Sequence, residues 1–182
     1  MIEERDQQFN LIALQPSGEL LSSHLLPLQG NSARIPKLAI HDGCISIAVG
    51  NSVFAFYKNE LQLMLELAQP IESIVTPLPH TRSRLAVTFA TGGLLVRPHL
   101  DGAMITPFAT EMDAPLLAFN QNFLIAVNET CCEIYYMRGG CVDLRACLAS
   151  SRPRPVAVLP ATSANQFMVL TEDGLLSVYE VS

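Results

Sequence analysis

The sequence predicts an all-β protein assembled from repeated units of four short antiparallel strands. Three observations predict it. Proline heads four similar apolar segments, at Pro36, Pro70, Pro115 and Pro155, at intervals of 34, 45 and 40 residues. A short polar stretch and a second apolar run follow each of them. A tight turn carrying Gly or Asn then leads into a third alternating strand.

Each element has its own reason. Proline suits the first residue of a strand, because its missing N–H leaves no ladder position empty there. The opening strands are PKLAI, PIESIV, PLLAF and PVAVL, and the second runs are CISIAVG, RLAVTFA, FLIAVN and FMVLT. All are rich in β-branched and aromatic residues and too short for helices. The turns are GNS at 50–52, TGG at 91–93, NET at 128–130 and EDG at 172–174. Gly and Asn tolerate the positive φ that hairpin turns demand. VFAFY, LLVRP, CEIYY and LLSVYEV are the third strands, and fourth strands leave over 57–67, 99–109 and 137–149. The segment 59–69 has a helical composition, but Leu61, Leu63, Leu65 and Leu67 recur at period two, the strand period. The segment 10–28 reads as a third-and-fourth-strand hairpin turning at Pro16-Ser17-Gly18-Glu19.

Four antiparallel strands per ~40 residues is the pitch of β-propeller blades. A β-sandwich explains the alternation, but not the fourfold return of proline, strand, turn and strand in one order. The expected organisation is a polar tail over 1–8 and a propeller-like domain over 9–182. Within it lie a partial blade at 9–34, blades at 35–69, 70–113 and 114–153, and an incomplete blade at 154–182. The last unit, PVAVLPATSANQFMVLTEDGLLSVYEV, resembles a WD40 repeat: Pro-Val opens the first strand, Asp173-Gly174 forms the turn, and Tyr179-Glu180 stands where that family places Trp-Asp. The chain has no Trp and no Gly-His dipeptide, and Phe56, Pro98 and Tyr135 stand near the Trp position of the other units. The resemblance implies about four WD40-like blades, in a ring that is either closed or incomplete. The final unit lacks a fourth strand, which the N-terminal hairpin could supply. Alternatively, other blades come from another chain or a second copy of this one, or the sequence is an excerpt of a longer polypeptide.

Composition narrows the function. At 182 residues and 19.8 kDa the chain supports one domain with a substantial core. It is 49% hydrophobic and 15% charged, with a mean hydropathy of +0.31, so much of it must be buried internally or against a partner. A net charge of −6 and a pI near 5.1 argue against nucleic-acid binding, which needs a basic face. No apolar run is long enough to span a bilayer, and the N-terminus lacks a secretory pattern. Five cysteines, including adjacent Cys131 and Cys132, read as reduced thiols. Cytoplasm or nucleus is the expected location.

No GxSxG, P-loop, GxGxxG or HExxH motif is present, and the expectation is a non-enzyme without cofactor or metal. His41, Asp42 and Cys44 fall in one short connection that reads as a turn. Cys131, Cys132, Cys141 and Cys147 lack the Cys-x₂₋₄-Cys spacing of structural zinc sites, so they read as small buried core residues. The expected function is a protein-interaction scaffold within an intracellular multiprotein assembly. It would offer propeller loops and open blade edges to protein partners, homo-oligomers included. The competing class is a ligand-binding or enzymatic propeller that uses its central channel. One loop face gathers Arg34, Arg152 and Arg154 with Glu111, Asp113, Glu172 and Asp173, a mixed-charge rim suited to protein contacts. The loop 77–84 on the opposite face is a second candidate.

Overall fold

The computed structural model describes residues 2–5, 8–26, 36–41, 44–57, 60–76, 85–97, 104–138, 141–149 and 153–181. They form eighteen strands in five antiparallel sheets and no helix. The first sheet contains β1 (Ile2–Arg5), β2 (Gln8–Leu14) and β3 (Leu20–Leu25), in that order. Residues 2–5, expected in a polar tail, instead pair with β2 from Ile2 opposite Leu11 to Arg5 opposite Gln8. Among the described residues, the hairpin of β2 and β3 therefore has its own sheet, and neither strand pairs with the last sheet.

Three four-stranded sheets follow, each a simple meander. The second holds β4 (Lys37–His41), β5 (Cys44–Val49), β6 (Ser52–Tyr57) and β7 (Glu60–Glu66). The third holds β8 (Ser73–Val75), β9 (Leu85–Phe89), β10 (Gly92–Arg97) and β11 (Met104–Phe108). The fourth holds β12 (Leu116–Asn120), β13 (Phe123–Val127), β14 (Cys131–Arg138) and β15 (Cys141–Ala149). The last sheet has three strands, β16 (Pro155–Pro160), β17 (Gln166–Thr171) and β18 (Leu176–Glu180). This is the blade architecture that the repeat predicts, with an incomplete blade at each end of the series.

The blades stack face to face in chain order, each interface a separate apolar cluster. Phe9, Leu11 and Leu26 meet Ile47 and Val49 between the first two sheets. Ala48, Val53 and Ile71 meet Leu85, Val87 and Val96 next. Ala86, Leu95 and Phe108 meet Phe119, Leu124, Ala126, Tyr135 and Met137. Ile125, Val127 and Ile134 meet Val158, Phe167 and Val169. The period-two pattern explains this directly. On β9, Leu85 and Val87 face one neighbouring sheet while Ala86 faces the other, so nearly the whole strand is buried.

The innermost strands β4, β8, β12 and β16 lie side by side. Side chains tie them together: the Thr76 hydroxyl donates to the Ile40 carbonyl at 2.9 Å, and the Ser73 hydroxyl donates to the Pro115 carbonyl. Toward the outside, the pairing of third with fourth strand slips between Ala13 and Leu14, Val53 and Phe54, and Ile134 and Tyr135. Bulges at this recurring place sharpen the twist of the outer strands, as blades packed around an axis require.

Gly93 shows how tight the packing becomes. Its partner across the ladder is Phe108, whose ring lies over the glycine so that an added Cβ would fall 2.2 Å from the ring's Cζ. On its other side the same ring meets Tyr135, with centroids 5.1 Å apart. Gly93→Ala must therefore displace Phe108 and should destabilise the fold by ~1–3 kcal/mol. Urea unfolding would show the midpoint falling with little change in slope, whereas an unchanged midpoint would mean the ring does not sit there.

Candidate interaction surface

Three parts of the molecule could meet another molecule: the charged loop face, the groove between the inner strands, and the outer face of the last sheet.

On the loop face the described candidates are Glu111, Asp113, Arg154, Glu172 and Asp173, all exposed. Arg34 and Arg152 lie outside the described residues, as does the loop 77–84. Asp113 and Arg154 line a single groove of about 380 Å³ together with Asn128, Glu129 and Thr130. The Glu172 N–H donates to the Arg154 carbonyl at 2.9 Å, which draws the β17–β18 turn to the same edge. Glu111 has no part in this groove. The sequence reading missed Glu129, whose carboxylate meets Arg154 Nε at 2.9 Å. Both side chains are about two-thirds exposed (66% and 63%), so the pair adds little stability and sets charge placement instead. The local fold holds Glu129 there: Asn128 Oδ1 accepts bonds from the N–H groups of Thr130 and Cys131 at 2.9 and 3.0 Å. An Asx turn was foreseeable from Asn128-Glu129-Thr130, but its charge partner depends on the neighbouring blade.

Asp173 organises its own turn. Its carboxylate accepts the Thr171 hydroxyl at 2.5 Å and the Leu175 N–H at 3.2 Å, and Gly174 completes the turn at φ +82°. These bonds, the Thr171 hydroxyl first, hold its carboxyl below the usual value of 3.8. A depressed folded-state pKa means that the stabilisation is present above the unfolded value and is lost as pH falls through the folded one. The gap in unfolding midpoint between the wild type and Asp173→Ala should be larger at pH 6 than near pH 3, roughly the range where such carboxylates take up protons. An equal gap at both would leave the turn without this role.

The inner groove, about 420 Å³, is formed by β4, β8, β12 and β16 and their flanks. Its walls are largely apolar, with Leu38, Ile74, Leu116, Leu117 and Val158, while Lys37, Glu72 and Ser73 add polar atoms. Two of these serve the fold: Ser73 bonds Pro115, and Glu72 accepts the Ala114 N–H at 3.1 Å. That second bond holds Ala114 in a strained backbone conformation, φ +38°.

The outer face of the last sheet, unlike the faces between successive sheets, has no neighbouring sheet against it among the described residues. Phe167, Val169 and Val158 point toward the preceding sheet and are buried. Their neighbours on the opposite face, Ala157, Leu159, Met168, Leu170, Leu176 and Val178, align across the ladder as Leu159–Met168–Val178 and Ala157–Leu170–Leu176. This face is as apolar as a blade interface, yet Leu159 is 47% exposed, Leu176 52% and Val178 61%. Within its sheet β18 pairs only with β17, so its other edge stays open among the described residues.

The cysteines need a correction. Cys131 and Cys132 are half-buried, and Cys141 and Cys147 are exposed on β15, so they are not the buried core fillers expected. The reason is position: β15 is the outer strand of its sheet, with another strand on one side only. Burial, then the nearby Cys131, Cys147 and Glu133, push the Cys132 thiol up to about 12. Iodoacetamide at pH 8 should therefore modify exposed Cys141 well before Cys132, as peptide mass mapping would read; equal rates would contradict this packing. His41 and Cys44 are partners in the β4–β5 ladder, and Asp42 lies outside the described residues. Glu133 and Thr110 escaped the sequence reading, and Tyr135 entered it only as the residue near the Trp position of its unit. Glu133 is buried and accepts the hydroxyls of Thr110, at 2.7 Å, and Tyr135, which also lies 2.9 Å from the Ala109 carbonyl. Period two on β14, which puts Glu133 on the same face as Tyr135 and Met137, was the available signal.

No family model matches the chain, and no curated protein matches it in sequence. Solved structures do match in shape. The β-propeller domain of Cps50 (Swd1) from Myceliophteria thermophila aligns with a TM-score of 0.66 at 11% identity, over 97% of this chain and 64% of that one. The computationally designed Ika4 protein aligns at 0.62 and 10% identity, over 85% of this chain and 96% of that one. Streptogramin B lyase aligns at 0.60 and 15% identity, over 97% of this chain and 62% of the lyase. The fold is a β-propeller arrangement. At these identities the likeness carries the fold alone, and the chain spans less than two thirds of the Swd1 and lyase structures.

Proposed function

We propose that this chain is a non-catalytic, WD40-like interaction scaffold, a subunit of an intracellular protein assembly, whose main docking surface is the outer face and open edge of the last sheet. The observation that carries this reading is the row of Leu159, Leu176 and Val178, about half exposed where the equivalent face of each preceding sheet lies against a neighbour. Leaving such a face in water forgoes ~25 cal/mol for every Å² of apolar area, so a protein surface that covers it is strongly favoured. The fitting partner is another β-sheet, because spacing and side-chain alternation already match a blade. Among the described residues β17 is the strand that pairs with β18, and a partner strand beside β18 would extend the ladder by backbone hydrogen bonds, which add affinity without demanding particular side chains. The groove beside Arg154 and Asp113 lies close by and could set orientation through charge. The chain's low charge and reduced thiols fit a life inside the cell, in company.

The test uses the intact chain. Its assembly would be isolated through an affinity tag, the bound protein identified by cross-linking mass spectrometry, and the complex rebuilt from purified components. Val178→Glu with Leu176→Glu should abolish the rebuilt complex while the isolated chain melts within ~2 °C of wild type, as expected of surface changes in a chain of this size. A complex that survives both charges, or cross-links confined to the loop face, would overturn this reading.

A further inference from the structure

On the inner face of the outer half of the fourth sheet, three groups that favour soft metal ions converge. Cys131 and Glu133 are two residues apart on β14 and so share a face, and Cys147 of β15 stands directly opposite Glu133 in the ladder. The two sulfur atoms and a carboxylate oxygen all lie within 4.8 Å of one another. We propose that Cys131, Glu133 and Cys147 bind a thiophilic divalent cation, Zn²⁺ by its chemistry, clamping the outer strand of this blade to its neighbour.

The geometry is close to what the ion needs. Tetrahedral Zn²⁺ with Zn–S bonds of ~2.3 Å places its donor atoms about 3.8 Å apart, so a side-chain closure of ~1 Å completes the site. Two thiolates select against Ca²⁺ and Mg²⁺, which take oxygen ligands. Three protein donors leave the fourth tetrahedral position to water, and Cys147 is exposed, giving the ion a route in.

A second observation points the same way. The carboxylate that would bind the ion is buried and already oriented: the hydroxyls of Thr110 and Tyr135 both bond its Oε2. That leaves Oε1 to ligate, and second-shell hydroxyls of this kind hold ligating carboxylates in place. On binding, each coordinated thiol releases its proton to solvent. The ion would then join β14 and β15 and, through Glu133 and Thr110, the segment that leads out of β11.

The inference stands apart from the docking surface and is tested on the full chain alone. Reduced protein would be titrated with Co²⁺ as a spectroscopic stand-in for Zn²⁺. The expected result is one equivalent bound, with visible bands of tetrahedral cobalt and ultraviolet thiolate-to-cobalt charge transfer, and a melting temperature that rises with free Zn²⁺. Cys131→Ser and Cys147→Ser should remove the charge-transfer signal, while Cys141→Ser keeps it. Glu133→Gln can still accept both hydroxyls, so it should fold yet bind more weakly by at least the roughly 10- to 100-fold that disturbing supporting groups costs. Absence of charge transfer in the reduced wild type, or its persistence in the Cys131→Ser and Cys147→Ser proteins, would overturn the proposal.

Discussion

Each of the three four-stranded sheets has two apolar faces, and the rest of the structure follows from that constraint. A sheet with one apolar face can float on a core, but a sheet with two must be sandwiched. Successive blades meet this need by stacking, so that Leu124, Val87, Ile47 and Val53, none with measurable exposure, each sit at a contact between sheets. Short meander connections keep sequence neighbours together in space. The same demand explains the unusual composition, because nearly half of the chain must be hydrophobic when both faces of each complete blade are covered.

Stacking alone would let blades slide, and polar contacts remove that freedom. Asn120 reaches from its sheet to the Ser163 carbonyl at 2.8 Å and also bonds the Gln166 carbonyl, fixing the fourth sheet against the β16–β17 connection. The Ile71 N–H bonds the Gly50 carbonyl at 2.7 Å, holding the entry to the third sheet against a turn of the second. At the third interface the linkage runs from Gly93 to Phe108, to Tyr135, to Glu133 and on to Thr110. A buried carboxylate is costly unless satisfied, so two hydroxyl donors on Glu133 also fix the angle at which these blades meet.

What could be read from the sequence followed range in the chain. Proline-headed strands, the Gly and Asn turns and the period-two burial are local, and they sufficed for the blade architecture. The strand at 2–5 was not legible, because Ile2-Glu3-Glu4-Arg5 is charged and becomes a strand only by pairing with β2. The exposure of Cys141 and Cys147 was hidden for a related reason: hydrophobicity says that a residue could be buried, but strand order says whether anything is there to bury it. Of the loop-face residues, Asp113 and Arg154 share a groove, whereas the Arg154–Glu129 pair joins two blades and has no signature in either stretch alone.

The two ends of the blade series both leave apolar side chains in water. In the first sheet, Ile12 lies on the face away from the second sheet and is buried, while Leu20, Leu21 and Leu25 of β3 are 57%, 60% and 59% exposed. In the last sheet, Leu159, Leu176 and Val178 keep the residue types of an interior blade. Alternation would have accommodated Ser, Thr or Lys at each of these positions without disturbing the buried side, since the two faces of a strand vary independently. Lys is also the residue with which exposed edges usually resist pairing, and β18 has none. A sheet with interior residue types on its outer face and no Lys along its last strand has the physical character of an interface.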